Sequence, residues 1–288
     1  MQIEVSFKND KKNVEIVDQM QSSEFMANVA KAFKQKPSRT RIQVESSDAK
    51  KIYLTPAKPL SAQVSENTRL VLKYVGPQIN YRTVFILEYL GPIIIWLLVA
   101  PLRSIASVMW LFHYVKRELE TLFVHQFSND TMPIRNVFKN CSYYWGFALI
   151  NAINSPVAWF APAQYFIFDR EIVLPVSIDK FLPIVFFFLS EFMNFKTHLI
   201  LKNLRPKNSR EYVNPQHPLF RQVACPNYGF EVLSWVFFSV YCKTVSSVAF
   251  TIAGLIQIWA WAGDKKKKLY KVFGNEGKRK WRLVWGLI

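Results

Sequence analysis

The sequence predicts a multi-pass α-helical membrane protein of about six transmembrane helices, preceded by a small soluble domain. Three observations carry this. The apolar residues, 51% of the 288, are unevenly spread: residues 1–80 are ordinary and polar, and beyond Tyr81 apolar residues gather into runs. Several of these runs approach the roughly 20 residues that a bilayer crossing needs. The excess of basic residues, a net charge of +17, collects at the ends of those runs. Topology signals and anionic headgroups explain charge placed there, so no nucleic-acid partner is expected.

Residues 1–76 read as the soluble domain. Met1 to Phe7 alternates apolar and polar residues as a strand does, and Asn13 to Val17 pairs back across a turn at Lys8 to Lys12. Ser22-Ser23-Glu24 offers a cap for a helix with Phe25, Val29, Ala32 and Phe33 on one face. Two further strands are expected, Arg41 to Val44 and Leu70 to Tyr74. No chemistry is evident in this part. The polar, strand-like first ten residues do not read as a cleavable signal peptide. Residues 77–81 are the expected linker, signalled by the Gly76-Pro77 pair at its start.

Residues 82–288 form the expected membrane domain. A first apolar run spans Val84 to Leu102, interrupted by Glu88 and by Gly91-Pro92. Arg103-Ser104 is a tight turn, and Ile105 to Tyr114 is the second run. So short a joint predicts an antiparallel helical hairpin. A third run covers Tyr143 to Phe160, and a fourth covers Phe181 to Leu201. Residues 229–262 are too long for one untilted span, and Lys243 near their middle predicts a turn between two. Lys and Arg concentrate in alternate connections and in the tail, which places both termini and the two long basic loops in the cytosol. The glycosylation patterns at Asn129 and Asn140 are then expected to stay unmodified.

Polar groups inside or beside these runs are the candidate site. His113, Arg117 and Glu120 share a helix face, as do Asn194, His198 and Lys202, with Arg205 following. Such stripes predict a wet cavity between helices, with cations at its mouth suited to phosphate. Taken alone, Lys116, Lys202 and the lysines 265–268 read as snorkelling or headgroup charges, and His113 and His125 as packing or interfacial residues. Glu88 reads as functional, because a carboxylate in an apolar run must be paired or neutralised. No metal site is expected, since His113, His125, His198 and His217 lie on different elements without zinc spacing. Cys141, Cys225 and Cys242 suggest no disulfide. In Cys225-Pro226-Asn227-Tyr228-Gly229-Phe230-Glu231, Pro226 starts a helix, which sets Asn227, Tyr228 and Glu231 on its first turn. A helix cap with an interfacial Tyr, or a functional site, would both look like this.

The order strand, strand, helix, strands of the first domain resembles a ubiquitin-like β-grasp module. The stretch from His113 to His125 resembles the signature of the trans-2-enoyl-CoA reductases of very-long-chain fatty acid elongation, within the wider steroid 5α-reductase group. Thr131 to Asn140, Tyr143 to Phe147, Asn203-Leu204-Arg205-Pro206, Cys225 to Tyr228 and Glu88 to Pro92 extend the resemblance over most of the chain. It implies an endoplasmic reticulum enzyme that uses NADPH to reduce long-chain trans-2-enoyl-CoA to acyl-CoA, the last step of each elongation round. Other elongase components are implied partners. By the same resemblance, Tyr228 is the proton donor, Lys116 and Arg117 an essential basic pair, and Glu88 a membrane carboxylate. Asn194, His198, Arg205, Asn227, Glu231 and Tyr270 fall where the group binds NADPH. The alternatives are a sterol or polyprenol reductase of the wider group and a non-catalytic elongase scaffold.

Overall fold

The computed structural model describes residues 2–15, 20–45, 51–54, 59–64, 68–127, 130–156, 163–167, 170–174, 178–204, 213–275 and 280–283. The chain divides into two compact units. One is Met1–Tyr81 with Thr131–Asn136, the other Arg82–Asp130 with Val137–Ile288.

In the first unit, β1 (Gln2–Phe7) and β2 (Asp10–Glu15) form an antiparallel hairpin. The turn is tighter than expected: strand pairing resumes at Asp10 because Lys8 takes the left-handed φ of 55° that a two-residue hairpin turn requires. Helix α1 (Ser22–Ala32) follows, then β3 (Thr40–Glu45), β4 (Lys51–Tyr53) and β5 (Arg69–Tyr74). The expected serine cap is absent. Gln21 holds the cap position without a side-chain bond, and the Ser22 hydroxyl is buried, accepting from Gln63 Nε2 at 2.9 Å. The strand order is β2-β1-β5-β3-β4, with β1 and β5 parallel. Alternation puts Ile3, Val5, Ile42, Val44, Leu70 and Leu72 into one core with Phe25 and Val29 of α1 and Phe33 at its C-terminal cap. Strand β4 and its pairing with β3 were not anticipated. The expected linker is not free either: β6 (Gln78–Asn80) pairs antiparallel with β7 (Thr131–Pro133). An extended segment satisfies its backbone groups by such pairing.

In the second unit, α2 (Tyr81–Val99) runs through Gly91-Pro92 without breaking. The bare Gly91 lets the Trp145 indole pack against the helix, and Trp145 Nε1 donates to the Leu87 carbonyl at 3.1 Å. Helix α3 (Ile105–Phe123) begins at Ser104, whose hydroxyl accepts from the Ser107 amide. The expected hairpin is present. Trp96 of α2 stacks on Trp110 of α3 with ring centroids 4.3 Å apart, and its Nε1 donates to Ser107 Oγ at 2.8 Å.

Helix α4 spans Arg135–Ile153, so it begins well before the apolar run at Tyr143. The end of that expected run, 157–160, lies outside the described residues. The connection that follows carries an unanticipated hairpin, β8 (Ala163–Ile167) with β9 (Arg170–Leu174). Helix α5 (Ile178–Asn203) is followed by the single turn α6 (Pro218–Arg221), then α7 (Pro226–Cys242) and α8 (Val245–Phe273). Lys243 caps α7 at φ 53°, in the turn where it was expected. Trp96, Trp110, Tyr114, Phe187, Trp235, Phe238 and Phe250 build the common aromatic core.

Among the described residues, three helices are long and apolar enough to cross a membrane: α2, α5 and α8. Helix α3 carries too many charges for that description. Yet Val108, Phe112, Val115, Leu119 and Leu122 form one exposed apolar row along it. Its charged residues Arg117 and Glu120 face inward. Helix α8 has 29 residues, about 43 Å at 1.5 Å per residue, so its lysine-rich last turns extend beyond a hydrocarbon core of about 30 Å.

Candidate active site

The end of α3, the last turns of α5, the first turn of α7 and the lysine turns of α8 surround a cavity of about 260 Å³. Its polar wall is made by Arg117, His125, Gln126, His198, Lys202, Asn227, Tyr228 and Lys265. Phe85, Phe127, Leu201, Phe220 and Leu269 are among the apolar groups that complete it. Among the described residues lining it are three cationic side chains and no carboxylate.

Tyr228 reaches the cavity because of how α7 starts. Cys225 is non-helical (φ −136°, ψ 65°), and Pro226 occupies the first helical position, where its missing N–H costs nothing. The Tyr228 and Gly229 amides donate to the Cys225 carbonyl at 3.1 and 3.2 Å. The segment ahead of the helix is held by a strand-like strap near the end of the chain. Trp281 N donates to Gln222 O at 2.6 Å, Ala224 N to Trp281 O at 2.7 Å and Cys225 N to Arg282 O at 3.1 Å. Leu283 is buried against Ala224, Cys225 and Leu269, and Tyr228 packs on this cluster. The Lys265 ammonium lies 5.7 Å from the centre of the Tyr228 ring. Among the described residues, the Tyr228 hydroxyl has no hydrogen-bond partner. Burial holds the neighbouring Cys225 thiol up at about 11.

Arg117 is buried and bridges two helices. Its Nη2 donates to Tyr89 Oη and its Nη1 to Glu120 Oε2, both at 2.8 Å. Its Nε is buried without a partner among the described residues. His198 Nδ1 lies 2.9 Å from the same Glu120 oxygen. A carboxylate accepts only, so Nδ1 carries the proton. Arg117 Nη1, 3.3 Å from that nitrogen, is then a neighbour and not its donor. His125, just past α3, is kept neutral: burial and then the Arg117 charge push it down to about 2.

Lys116 heads a second, deeper cluster. Its ammonium is 2.7 Å from Glu191 Oε2 and donates to Asn194 Oδ1 at 2.5 Å. His113 Nδ1 meets Glu191 Oε1 at 2.7 Å. Asn194 Nδ2 donates to the Asn227 carbonyl at 2.8 Å. The snorkelling reading of Lys116 is therefore corrected: its side chain turns inward because a buried carboxylate is within reach. His113 likewise does more than pack.

The expected residues thus separate. Arg117, His198, Asn227 and Tyr228 meet at the cavity. Lys116 and Asn194 stand behind them, with their polar atoms committed to protein. Glu88 is apart from the cavity wall; its Oε1 accepts from Asn140 Nδ2 at 2.5 Å. Glu231 sits on the second turn of α7, not the first, half-buried and within electrostatic range of Arg117 and Tyr228. Tyr270, expected at the cofactor, is half exposed on α8 and does not line the cavity; the adjacent Leu269 does. One residue turns a helix by about 100°, which is enough to exchange those faces. Arg205 lies outside the described residues.

Sequence reasoning gave no role to Tyr89, Gln126 or Glu191, read Asn140 only as a glycosylation pattern, and read Lys265 as a snorkelling or headgroup charge where the structure sets it in the cavity wall. Glu191 had a signal, since it is a second carboxylate inside an apolar run. It also missed that Glu120, His125 and His198 converge, with ligand-type atoms within 4.8 Å of one another. Spacing along the chain cannot reveal that. The trio is poorly suited to a metal cation, because Arg117 already holds Glu120 Oε2 and Lys116 lies 3.8 Å from Oε1.

The chain is 39% identical over 192 residues to a protein of Caenorhabditis elegans named a probable very-long-chain enoyl-CoA reductase, covering 64% of this chain and 58% of that one. It is 39% identical over 175 residues to a very-long-chain enoyl-CoA reductase of Dictyostelium discoideum, covering 60% and 54%. A mouse protein named trans-2,3-enoyl-CoA reductase-like is 32% identical over 186 residues, covering 64% and 50%. The chain thus spans little more than half the length of the relatives it matches. Residues 130–284, which carry α5, α7, α8 and Tyr228, match the family described as 3-oxo-5-alpha-steroid 4-dehydrogenase, and the chain belongs to that family.

Proposed function

We propose that this chain is an NADPH-dependent reductase of long-chain trans-2-enoyl-CoA, forming saturated acyl-CoA in the last step of the very-long-chain elongation cycle. The observation that carries the reading is the cavity wall: among the described residues it has three cations, no carboxylate, and a tyrosine hydroxyl with no hydrogen-bond partner. The relatives' names supply the substrate class.

The donor set fits a phosphorylated nicotinamide cofactor. Among the described residues Arg117 has a buried Nε left over, and Lys202 and Lys265 reach the wall without a carboxylate partner. Arg117, Lys202, Lys265, His198 and Asn227 would hold it. Bound there, the reduced nicotinamide supplies the hydride that the Cβ of a conjugated thioester accepts. Charge then develops on the thioester oxygen, where a hydrogen-bond donor lowers the barrier. Tyr228 donates: a phenol is protonated at neutral pH, and from the cavity wall it delivers its proton toward Cα. Lys265, over the ring, stabilises the phenolate left behind. Arg117 and its partners are already ordered by Tyr89 and Glu120, so little reorganisation is needed.

The membrane setting follows the same reading. Helices α3, α4 and α7 are proposed to cross the bilayer beside α2, α5 and α8, giving six spans. The continuous exposed apolar row on α3 supports this. The phosphates face the cytosolic lysine turns and the acyl chain lies among the spans, in the endoplasmic reticulum, with both termini cytosolic. The first unit's strand order supports a ubiquitin-like module at 1–76, open to other elongase components.

The test is direct. Microsomes containing the chain should convert a long trans-2-enoyl-CoA to acyl-CoA with NADPH. Turnover of a steroid enone alone would favour a sterol reductase. No turnover of any enone would leave a scaffold role.

A further inference from the structure

Two buried clusters of like design sit side by side between α3 and α5. In each, a histidine Nδ1–H and a basic residue share one carboxylate. His198 and Arg117 share Glu120, and His113 and Lys116 share Glu191. Only the first opens on the cavity. The second has no ligand to touch, yet Glu191 is fully buried and Lys116 nearly so. Burying a full ion pair this way is costly, and a well-packed apolar pair would serve stability as well. Its geometry shows where it leads. Lys116 donates onward to Asn194 Oδ1, and Asn194 Nδ2 donates to the Asn227 carbonyl. Asn194 is completely buried, with both ends of its amide committed. The chain ends on the peptide unit that joins Asn227 to Tyr228.

We propose that Glu191 is a positioning residue: with His113 it fixes Lys116, and through Lys116 and Asn194 it fixes the first turn of α7, which carries Tyr228. Each link is directional. The ammonium orients the Asn194 oxygen, which leaves the amide nitrogen aimed at the Asn227 carbonyl. Glu191 sets where the ammonium stands, and His113, packed on Trp235 with centroids 4.3 Å apart, sets where the carboxylate stands. Without Glu191, Lys116 has no carboxylate at hydrogen-bond distance, because Glu120 Oε1 is 3.8 Å away. The inference rests on the proposed reductase reading for its kinetic consequence, though not for its structural one.

Glu191→Leu alone strands a buried ammonium and can fail to fold. The decisive variant is Glu191→Leu with Lys116→Met, which removes both charges together. In the purified full chain, kcat for enoyl-CoA reduction should fall, by up to about 100-fold, the loss that a small misplacement of a reacting group produces. KM for NADPH should stay within about twofold, since uniform binding is untouched. Hydrogen exchange at the Tyr228 and Gly229 amides should quicken while that of the α5 core does not. A folded double variant with wild-type kcat and unchanged exchange would make the cluster a mere buried ion pair. A rise in KM at constant kcat would instead put Lys116 on the ligand and overturn the inference. If the unaltered chain reduces no enoyl-CoA, the functional reading fails, and the exchange measurement still decides the role of Glu191.

Discussion

Replacing Tyr228 by Phe removes one oxygen from the cavity wall and little else. The hydroxyl has no hydrogen-bond partner among the described residues, so no donor or acceptor is orphaned by its loss. The ring keeps its packing on the Ala224 and Leu269 cluster and keeps Lys265 above its face. Stability should therefore change by no more than about 0.5 kcal/mol, as for a surface substitution. The rate should change far more. A positioned general acid contributes roughly 10²- to 10⁴-fold, or about 3–5.5 kcal/mol of barrier at ~1.4 kcal/mol per decade. The assay is the initial rate of NADPH oxidation by purified protein with a long trans-2-enoyl-CoA, beside a thermal melt of the same sample. The expected result is an unchanged melt, a KM within about threefold and a kcat lowered by at least about 100-fold. A Phe variant that turns over at the wild-type rate would refute the role of Tyr228.

Other outcomes follow from the same geometry. Trp281→Pro deletes the N–H that bonds Gln222 O and should lower stability by about 1–3 kcal/mol; Trp281→Ala keeps that backbone bond and should cost less, so equal melts for the two would refute the strap. His125 is depressed from about 6.5 to about 2 by burial, so the unfolded chain binds its proton first as pH falls. Its stabilising contribution is complete above about pH 6.5 and is lost progressively below it; a His125→Gln variant should show a flatter acid limb in melts between pH 7 and 5. Asn140 should show no mobility shift on deglycosylation, because its amide nitrogen is bonded to Glu88. Orientation is then better read from an acceptor site introduced between α7 and α8, which a cytosolic placement of both termini makes lumenal.

The fold was legible where local signals are strong. Long apolar runs marked α2, α5 and α8, and Lys243 marked the break between α7 and α8. It was less legible where a helix is polar on its inner side. The span in α3 reads as ending at Tyr114, because hydropathy averages Lys116, Arg117 and Glu120 with the outward row that continues to Leu122. The pairing of β6 with β7 was invisible because the two are distant in sequence; β4 pairs with its neighbour β3, but three residues carry too little pattern to mark it.

By itself, the sequence determined that a polar stripe lies on α3 and another on α5, and that a proline starts a helix just ahead of Tyr228. Helical periodicity alone decides those facts. Only the tertiary structure decided which polar groups face the cavity and which stand behind them. Lys116 and Arg117 are adjacent in the chain, yet about 100° of helix rotation sends one to Glu191 and the other to Glu120 and the cavity. The same rotation puts Leu269 in the wall and leaves Tyr270 outside. Roles at a site depend on distances between helices, and those are set by packing rather than by spacing along the chain.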